Sequence, residues 1–322
     1  MSNVTIPDRR RSFDRPFVLH MFTPGKQMSP FDINMAADAG YQLLPTYSEV
    51  TLANVAGLTQ DAIFSRGPKG VGRTAIFIGG RDVMLAADMM DAARRAMVPP
   101  FVVSVMADPS GSFTTAAALI ACVERQLEKL HGIDLKGKRV TILGGAGTVG
   151  RIAGVLAHRV GAHVRLSSHL GLDAAKRAAD ETNARFASGC EGVSGADARA
   201  VCDSIADADV VLGCAAAGVQ VLSAADRAGA KQLLVAADIN AVPPMGLEGV
   251  GVIDSGKLLS APGGGYSQTV GIGALAIGNV KYQTQHRLLT QMHRAGSDGE
   301  PVNLSFVEAL TMAREFLAES AA

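Results

Sequence analysis

A short stretch, TILGGAGTVG at positions 141–150, constrains the fold of this chain more than any other feature of its sequence. An apolar run breaks there into a glycine-rich turn, and a helical pattern follows from Val149 to Val160. A second predicted strand, HVRLS at 163–167, begins about twenty residues after the first run ends. A strand, a tight turn, a helix and another strand in this order form a β-α-β unit, which predicts a parallel sheet.

The same alternation of strand and helix runs through most of the chain. Short apolar runs predict strands at 17–22, 74–78, 101–106, 139–143, 163–167, 209–213 and 233–238. Apolar residues at helical spacing predict helices at 31–40, 82–97, 114–130, 149–160, 173–186, 272–295 and 304–319. Ser112 is predicted to cap the third of these helices. Because the strands are apolar on both faces, we expect an α/β fold with open parallel sheets covered by helices.

Composition and charge exclude several classes of protein. Of the 322 residues, 48% are hydrophobic and 19% are charged, which is typical of a globular protein. The formal net charge is zero, which argues against binding of nucleic acid or of an acidic membrane surface. The basic cluster at 9–11 is followed by Asp14, Arg15 and Pro16 instead of the apolar stretch of an export signal, so we interpret it as a solvated tail.

The cysteines and histidines show no pattern of a metal site. The four cysteines lie among apolar or small residues without a CxxC pair, and they are predicted to be free thiols: Cys122, Cys190, Cys202 and Cys214. The seven histidines show no HExxH or similar spacing. We therefore expect a cytoplasmic protein that holds no metal.

The glycine turn matches the pattern GxGxxG at positions 145–150. Its place between a strand and a helix predicts a binding site for a dinucleotide. Gly145 allows the tight turn, Gly147 lets the backbone approach a pyrophosphate, and Gly150 lets the helix pack close to the strand. Thr148 and Val149 open the helix whose N-terminus stabilises the phosphate charge. The alternative is a tight turn in an α/β domain that binds no nucleotide.

The end of the next strand bears on the choice between NAD and NADP. A carboxylate there would bind the adenosine ribose of NAD and repel a 2′-phosphate. This strand ends instead in Ser167, Ser168 and His169, whose side chains can donate hydrogen bonds to a 2′-phosphate. We infer that NADP is accepted, while the preference between NADP and NAD stays open. Ordinary turn chemistry is the alternative role for both serines.

Polar clusters follow the predicted strands in both halves of the chain, where a cleft between two α/β domains would lie. They comprise His20 with residues 26–32, and then residues 108–115, 238–244 and 271–281. We predict an N-terminal extension at 1–15, an N-terminal α/β domain at 16–133 completed by helices at 282–322, and a Rossmann-type NAD(P)-binding domain at 134–281. The active site is expected in the cleft between the two domains.

These clusters resemble the bacterial NAD(P)-dependent methylene-tetrahydromethanopterin dehydrogenases, enzymes of one-carbon oxidation in methylotrophs. The resemblance is carried by LHMFTPGKQMSPFDINMAADAG (19–40), MADPSGSFTTAAA (106–118), LKGKRVTILGGAGTVG (135–150), DINAVPPMG (238–246) and VGIGALAIGNVKYQTQ (270–285). It implies direct hydride transfer from the methylene carbon of the pterin to C4 of NAD(P)+, in a homo-oligomer that is a trimer or hexamer. The product cation is stabilised by its own two nitrogens, so a general base is not obligatory.

The resemblance also implies roles for single residues. Lys281 matches the family's active-site lysine; it can hold the pterin carbonyl or lie neutral near the reacting ring, and the alternative is a surface lysine on an amphipathic helix. Substrate contacts are implied for His20, Ser29, Asp32, Thr114 and Thr115. For these the alternatives are helix caps for the aspartate and threonines, and a structural histidine. The cofactor is implied to contact Ala215, Ala216, Ala217, Asp238, Asn240 and Gly273.

Three other activities remain open at this point. The same reaction on methylene-tetrahydrofolate differs only in the pterin's ring methyl groups and aryl tail. A bifunctional dehydrogenase/cyclohydrolase is less favoured, because its Tyr-x-x-x-Lys pattern is absent around Tyr41 and Tyr47. A nucleotide-binding protein without catalytic activity would need the glycine turn but none of the other polar clusters.

Overall fold

The protein is described here from a computed structural model that covers residues 15–260, 266–298 and 300–320. The basic cluster at 9–11 and almost all of the predicted extension at 1–15 lie outside these described residues. Within these three ranges, every helix is either too short or too polar to cross a lipid bilayer.

The strands and helices alternate along the chain. The strands are β1 (Val18–Phe22), β2 (Thr46–Tyr47), β3 (Thr74–Ile78), β4 (Ser104–Ala107), β5 (Arg139–Leu143), β6 (His163–Ser168), β7 (Glu191–Ser194), β8 (Val210–Gly213), β9 (Val235–Asp238), β10 (Ser255–Ser260), β11 (Tyr266–Ile272) and β12 (Asn303–Leu304). The helices are α1 (Pro30–Asp38), α2 (Val55–Phe64), α3 (Pro68–Val71), α4 (Val83–Arg95), α5 (Ser112–His131), α6 (Thr148–Arg159), α7 (Leu172–Phe186), α8 (Ala198–Ile205), α9 (Ala224–Arg227), α10 (Ala274–Asp298) and α11 (Phe306–Glu319).

Within the described residues these strands form two sheets. The first has the order β12-β4-β3-β1-β2, and its neighbouring strands are parallel. The second has the order β10-β11-β9-β8-β5-β6-β7, with β10 and β11 antiparallel and the other neighbours parallel. Every residue of β3, β4, β8 and β9 is buried, since helices cover both faces. The α/β prediction, with a Rossmann-type parallel sheet around the glycine turn, is confirmed.

Helix α5 connects the two sheets through a shared core. It packs against α10 and α11 and also against α6 and β9. Phe113 on α5 and Phe186 on α7 both pack edge-to-face on Phe306, with ring centroids 5.2 and 5.3 Å away. Burial of such a ring contributes about 3 to 5 kcal/mol against alanine. This packing fixes the loops that precede α5 and α6 relative to each other.

The strand predicted at 101–106 begins later than expected. The preceding residues form a turn in which the amide of Phe101 donates to the carbonyl of Val98 at 2.7 Å and that of Val102 to Pro100 at 3.1 Å. Prolines cannot donate to a strand ladder, so pairing begins only at Ser104.

The predicted N-cap of α5 was wrong. Ser112 is the first residue of the helix, and Gly111 precedes it in the left-handed region at φ 65°. The carboxylate of Asp108 accepts the amides of Phe113 and Thr114 at 2.9 and 3.1 Å. A carboxylate reaching over from the preceding loop thus takes the place of a capping serine.

Candidate active site

Two glycines of the glycine turn are packed so tightly that a side chain would not fit at their positions. A Cβ on Gly145 would lie 2.7 Å from the Cα of Leu166, and one on Gly150 would lie 2.7 Å from the Cα of Gly145. These two glycines therefore let α6 start directly against the neighbouring strands. Gly147 differs, because the nearest atom to its Cβ position is the Gly144 carbonyl oxygen at 3.2 Å.

The start of α6 provides donors for an anion. Gly147 occupies its N-cap position with no side-chain hydrogen bond to the first turn. The first amides of a helix, here those beginning at Thr148 and Val149, lack acceptors within the helix, and the helix dipole favours negative charge there. Arg151 does not fill the turn, since its guanidinium bonds to the Ala146 carbonyl at 3.0 Å and to Glu181 at 2.9 Å. This arrangement fits the pyrophosphate of a dinucleotide.

The loop after β8 forms the adjoining wall. A Cβ on Gly144 would lie 2.7 Å from the amide nitrogen of Ala215, so the two loops are in direct contact. Ala216 and Ala217 are exposed and small, which leaves the surface in front of them accessible to a flat ring. Cys214 is buried, and burial together with nearby Asp238 raises the pKa of its thiol. Its thiol is therefore a poor nucleophile.

Asp238 and Asn240 organise the loop after β9. The carboxylate of Asp238 accepts the amides of Asn240 at 3.0 Å and Leu247 at 2.9 Å. The Asn240 side chain accepts from Gly218 at 3.1 Å and donates to the Pro244 carbonyl at 3.0 Å. The Asn240 side chain thus connects the loops after β8 and β9, while the Asp238 carboxylate holds the loop after β9 together. The Asp238 side chain is buried. Burial raises the pKa of its carboxyl, while the hydrogen bonds from the backbone amides act to lower that pKa.

We expect Asp238→Ala to destabilise the protein by about 2 to 5 kcal/mol, because it leaves two buried amides without an acceptor. The measurement is urea unfolding followed by circular dichroism. Asp238→Asn keeps one carbonyl acceptor and should lose less stability. Equal stability of the alanine variant and the unmodified protein would contradict this role.

The end of β6 offers fewer donors for a 2′-phosphate than the sequence suggests. The hydroxyl of Ser168 accepts from the amide of Leu170 at 3.2 Å, which is turn chemistry. Ser167 is 2% exposed and lies against Gly195. His169 is exposed at this end. Arg165 is paired with Asp207 at 2.5 Å.

Gly273 has a backbone role at the start of α10. A Cβ there would clash with the carbonyl oxygen of Gly251, and the Gly273 amide donates to the backbone carbonyl of Asp254 at 2.8 Å. The absence of a side chain at Gly273 therefore lets the start of α10 pass close to the loop at 251–254.

A cleft of about 1020 Å³ lies at the carboxyl ends of the strands in the first sheet. It is lined by the loop and helix start at 23–32, the loop at 80–82 with Leu85, Ser110 with Gly111, and Lys281 from α10. Of the predicted substrate contacts, Ser29 and Asp32 line the cleft together with Lys281.

The other predicted substrate contacts are not part of this lining. His20 is the middle residue of β1, and its Nδ1 is 3.0 Å from the hydroxyl of Tyr47. Thr114 is fully buried and donates its hydroxyl to Asp108 at 2.7 Å, so it acts within the loop that caps α5. Thr115 is partly buried on the next position of the helix.

Lys281, Gln285 and Asp32 form a chain of hydrogen bonds at the inner end of the cleft. The Nζ of Lys281 donates to Oε1 of Gln285 at 2.5 Å, and Nε2 of Gln285 donates to Oδ1 of Asp32 at 2.7 Å. The same Nζ lies 3.8 Å from the ring centroid of Phe31. Gln285 is fully buried, and sequence reasoning missed it. The available signal was its i+4 spacing from Lys281, which puts both on one helix face.

Two buried carboxyls surround this single ammonium group. Burial and the neighbouring Asp108 raise the pKa of Asp32 to about 7, while the bond from Gln285 and the charge of Lys281 oppose the rise. Burial also raises the pKa of Asp108, against Lys281 and the hydrogen bonds from residues 113 and 114. Burial lowers the pKa of Lys281, and both carboxylates oppose this effect. The cluster can thus change its charge near neutral pH.

A metal centre is not evident in the part of the chain that the structure describes. Within these residues no group of three or more His, Cys, Asp or Glu side chains is arranged to hold an ion.

The chain is similar to known proteins over most of its length. A family model described as methylene-tetrahydromethanopterin dehydrogenase, N-terminal, matches residues 30–110. The NAD(P)-dependent methylenetetrahydromethanopterin dehydrogenase of Methylorubrum extorquens is 48% identical over 298 residues, which cover 92% of this chain and 98% of that protein. The bifunctional protein MdtA of the same organism is 32% identical over 275 residues, with 85% and 91% covered.

Among solved structures, shikimate 5-dehydrogenase from Listeria monocytogenes in complex with shikimate and NAD aligns with a TM-score of 0.49 and 12% identity. The alignment covers 86% of this chain and 92% of that one.

Proposed function

The chain belongs to the family of NAD(P)-dependent methylenetetrahydromethanopterin dehydrogenases, and from this premise we propose that it oxidises methylenetetrahydromethanopterin to the methenyl form. The observation that carries the proposal is the hydrogen-bonded chain of Lys281, Gln285 and Asp32 in a cleft large enough for a reduced pterin. The glycine turn at the start of α6 provides the second binding element.

The proposal assigns the binding of NAD(P)+ to the glycine turn and to the loops after β6, β8 and β9. When bound, the nicotinamide supplies the acceptor for the hydride. Amides at the start of α6 hold the pyrophosphate, and the small residues 215–217 leave room for a ring. His169 is our candidate for contact with a 2′-phosphate. The buried Ser167 and Ser168 support the turn that presents it. The residue limits of the two predicted domains are part of the same proposal.

For this reaction the protein has to orient the two reactants and stabilise the charge that develops on the pterin. The methylene carbon loses a hydride and leaves a cation that the two flanking nitrogens of the pterin share, so no proton has to be removed. Lys281 donates a hydrogen bond into the cleft, and Ser29 and Asp32 contact the polar edge of the pterin ring. Fixing the two reactants in this way can lower the barrier by several kcal/mol.

The charge of the cluster favours the product. An ammonium alone would repel the cation that develops on the pterin, but Asp32 and Asp108 flank it. Once Asp32 is ionised, its carboxylate offsets the charge of the Lys281 ammonium, and ionisation of Asp108 would add a further negative charge. A negative site in a partly desolvated cleft stabilises a developing positive charge.

We therefore expect kcat/KM to rise with pH through about 7. The pKa of Asp32 is raised to about 7, so its carboxyl is protonated below that pH and ionised above it. The ionised form accepts hydrogen bonds from the pterin and adds the negative charge that favours the product. Initial rates across neutral pH are the measurement. Asp32→Asn should be slow and lack this inflection, whereas Asp38→Asn, an exposed change on the same helix, should keep it. A flat profile for the unmodified protein would contradict this role.

The assay that tests the function combines NADP+ and NAD+ with both methylene pterins and follows the absorbance of the reduced nicotinamide. We expect turnover with methylenetetrahydromethanopterin and NADP+. A much higher kcat/KM on methylenetetrahydrofolate would replace the proposed substrate. Cofactor binding without any reduction would favour a nucleotide-binding protein without catalytic activity.

The proposal extends to assembly and cellular setting. We propose a homo-oligomer of the trimer or hexamer type, active in the cytoplasm in one-carbon oxidation. Exposed apolar side chains near the start of α10 support an interface with another copy: Ile253, Leu275 and Tyr282 are 75%, 55% and 41% exposed. The molar mass from light scattering tests it, and a monomer at assay concentration would contradict it.

A further inference from the structure

The mouth of the substrate cleft carries two exposed cations. Lys26 lies on the loop after β1 and Arg81 on the loop after β3, and both line the cleft. The two loops touch, since a Cβ on Gly80 would lie 2.8 Å from Cδ of Pro24. Within the described residues, neither side chain makes a hydrogen bond or an ion pair. A pair of cations is thus presented to solvent at one edge of the site.

The acidic groups near this mouth do not neutralise the pair. Asp82 caps α4, where one carboxylate oxygen accepts the amides of Met84 and Leu85 at 2.8 and 3.1 Å. Asp32 is only 3% exposed and bonds to Gln285 at the inner end. Glu49 reaches the loop through its backbone amide, which donates to Gly25 at 2.9 Å, but its carboxylate pairs with neither cation.

The lining of the cleft therefore changes from largely apolar at its inner end to positively charged at its mouth. Inside, Met28, Phe31 and Leu85 provide apolar surface beside the compensated Lys281 cluster. At the mouth, Lys26 and Arg81 provide uncompensated positive charge. A ligand that matches this order has a flat ring at one end and an anionic group at the other.

We propose that Lys26 and Arg81 bind an anionic group on the tail of the pterin substrate and so favour acidic-tailed pterins over neutral ones. This inference rests on the proposed function, because it assigns the inner end to the pterin ring. Arginine can hold a carboxylate or phosphate with two parallel hydrogen bonds, and the lysine adds a point charge. Because both cations are exposed, salt screens their attraction for the tail.

The test compares the protein with a Lys26→Gln, Arg81→Gln double variant. Two substrates are used: methylenetetrahydromethanopterin, and the same methylene pterin with its acidic tail removed. We expect the double variant to raise KM for the intact substrate by about tenfold, with kcat unchanged. For the truncated substrate the two proteins should have the same KM. Added salt should raise KM for the intact substrate with the unmodified protein and much less with the variant.

A matched control is the Lys129→Gln, Arg199→Gln variant, which removes two exposed cations on α5 and α8 outside the cleft. It should leave KM for both substrates unchanged. The inference is overturned if the cleft variant raises KM for both pterins equally, raises KM for NADP+ instead, or changes nothing. Absence of turnover by the unmodified protein on either pterin would refute the proposed function itself, which keeps the two failures apart.

Discussion

Replacing Lys281 with alanine is expected to lower kcat/KM for the pterin by about two to three orders of magnitude. The change removes the donor that Oε1 of Gln285 accepts at 2.5 Å, and it loosens the amide that holds Asp32 at 2.7 Å. It also removes the positive charge that restrains the pKa values of Asp32 and Asp108. The pKa values of both carboxyls should then rise, so the carboxyls stay protonated up to a higher pH. The inflection of the pH profile should move to a higher pH as well.

Two further variants separate this role from a loss of folding. Lys281→Met retains the length of the side chain and should be as slow as the alanine variant. Lys257→Ala removes a lysine that is 69% exposed on β10 and should keep normal rates. Thermal unfolding shows whether each variant is folded. A folded Lys281 variant with kcat/KM within threefold of the unmodified protein, and an unmoved pH inflection, would refute the assignment.

Alanine substitutions at two glycines of the turn are expected to have different effects, one on cofactor binding and the other on stability. Gly147→Ala adds a Cβ that meets a carbonyl oxygen at 3.2 Å, so the fold should persist. The methyl group projects where the backbone must approach a pyrophosphate, and KM for NADP+ should rise at least about tenfold. Gly145→Ala places a Cβ 2.7 Å from the Cα of Leu166, and we expect it to lower the unfolding free energy by about 1 to 3 kcal/mol.

Steady-state rates and chemical unfolding distinguish the two glycine variants. If Gly147→Ala binds NADP+ normally, the turn does not hold the pyrophosphate. If Gly145→Ala is as stable as the unmodified protein, the packing between the turn and the strand of Leu166 is looser than described.

The parts of the fold that could be predicted from sequence are those with strong local patterns. The strand predicted at 139–143 matches β5 to the residue, because its last four residues are all buried and the glycine-rich turn ends it directly. Short strands such as β7, with the sequence EGVS, carry no such signal, since pairing with β6 rather than local hydrophobicity determines them.

The site was harder to predict, because its geometry depends on contacts between distant segments. Asp32 and Gln285 are 253 positions apart in sequence and 2.7 Å apart in space. The roles of Asp108 and Thr114 show the same difficulty. A polar loop beside a helix start predicts a cleft residue and a cap equally well, and only the observed bond between them at 2.7 Å distinguishes the two.

The central claim is that hydride passes directly from a pterin held by Lys281 and Asp32 to a nicotinamide held by the glycine turn. The most direct measurement uses substrate in which both hydrogens of the methylene carbon are deuterium, with mass spectrometry of the reduced nicotinamide. The account predicts that one deuterium is recovered at C4 of the nicotinamide for each turnover. Loss of the label to water would contradict direct transfer between two ligands oriented in one cleft.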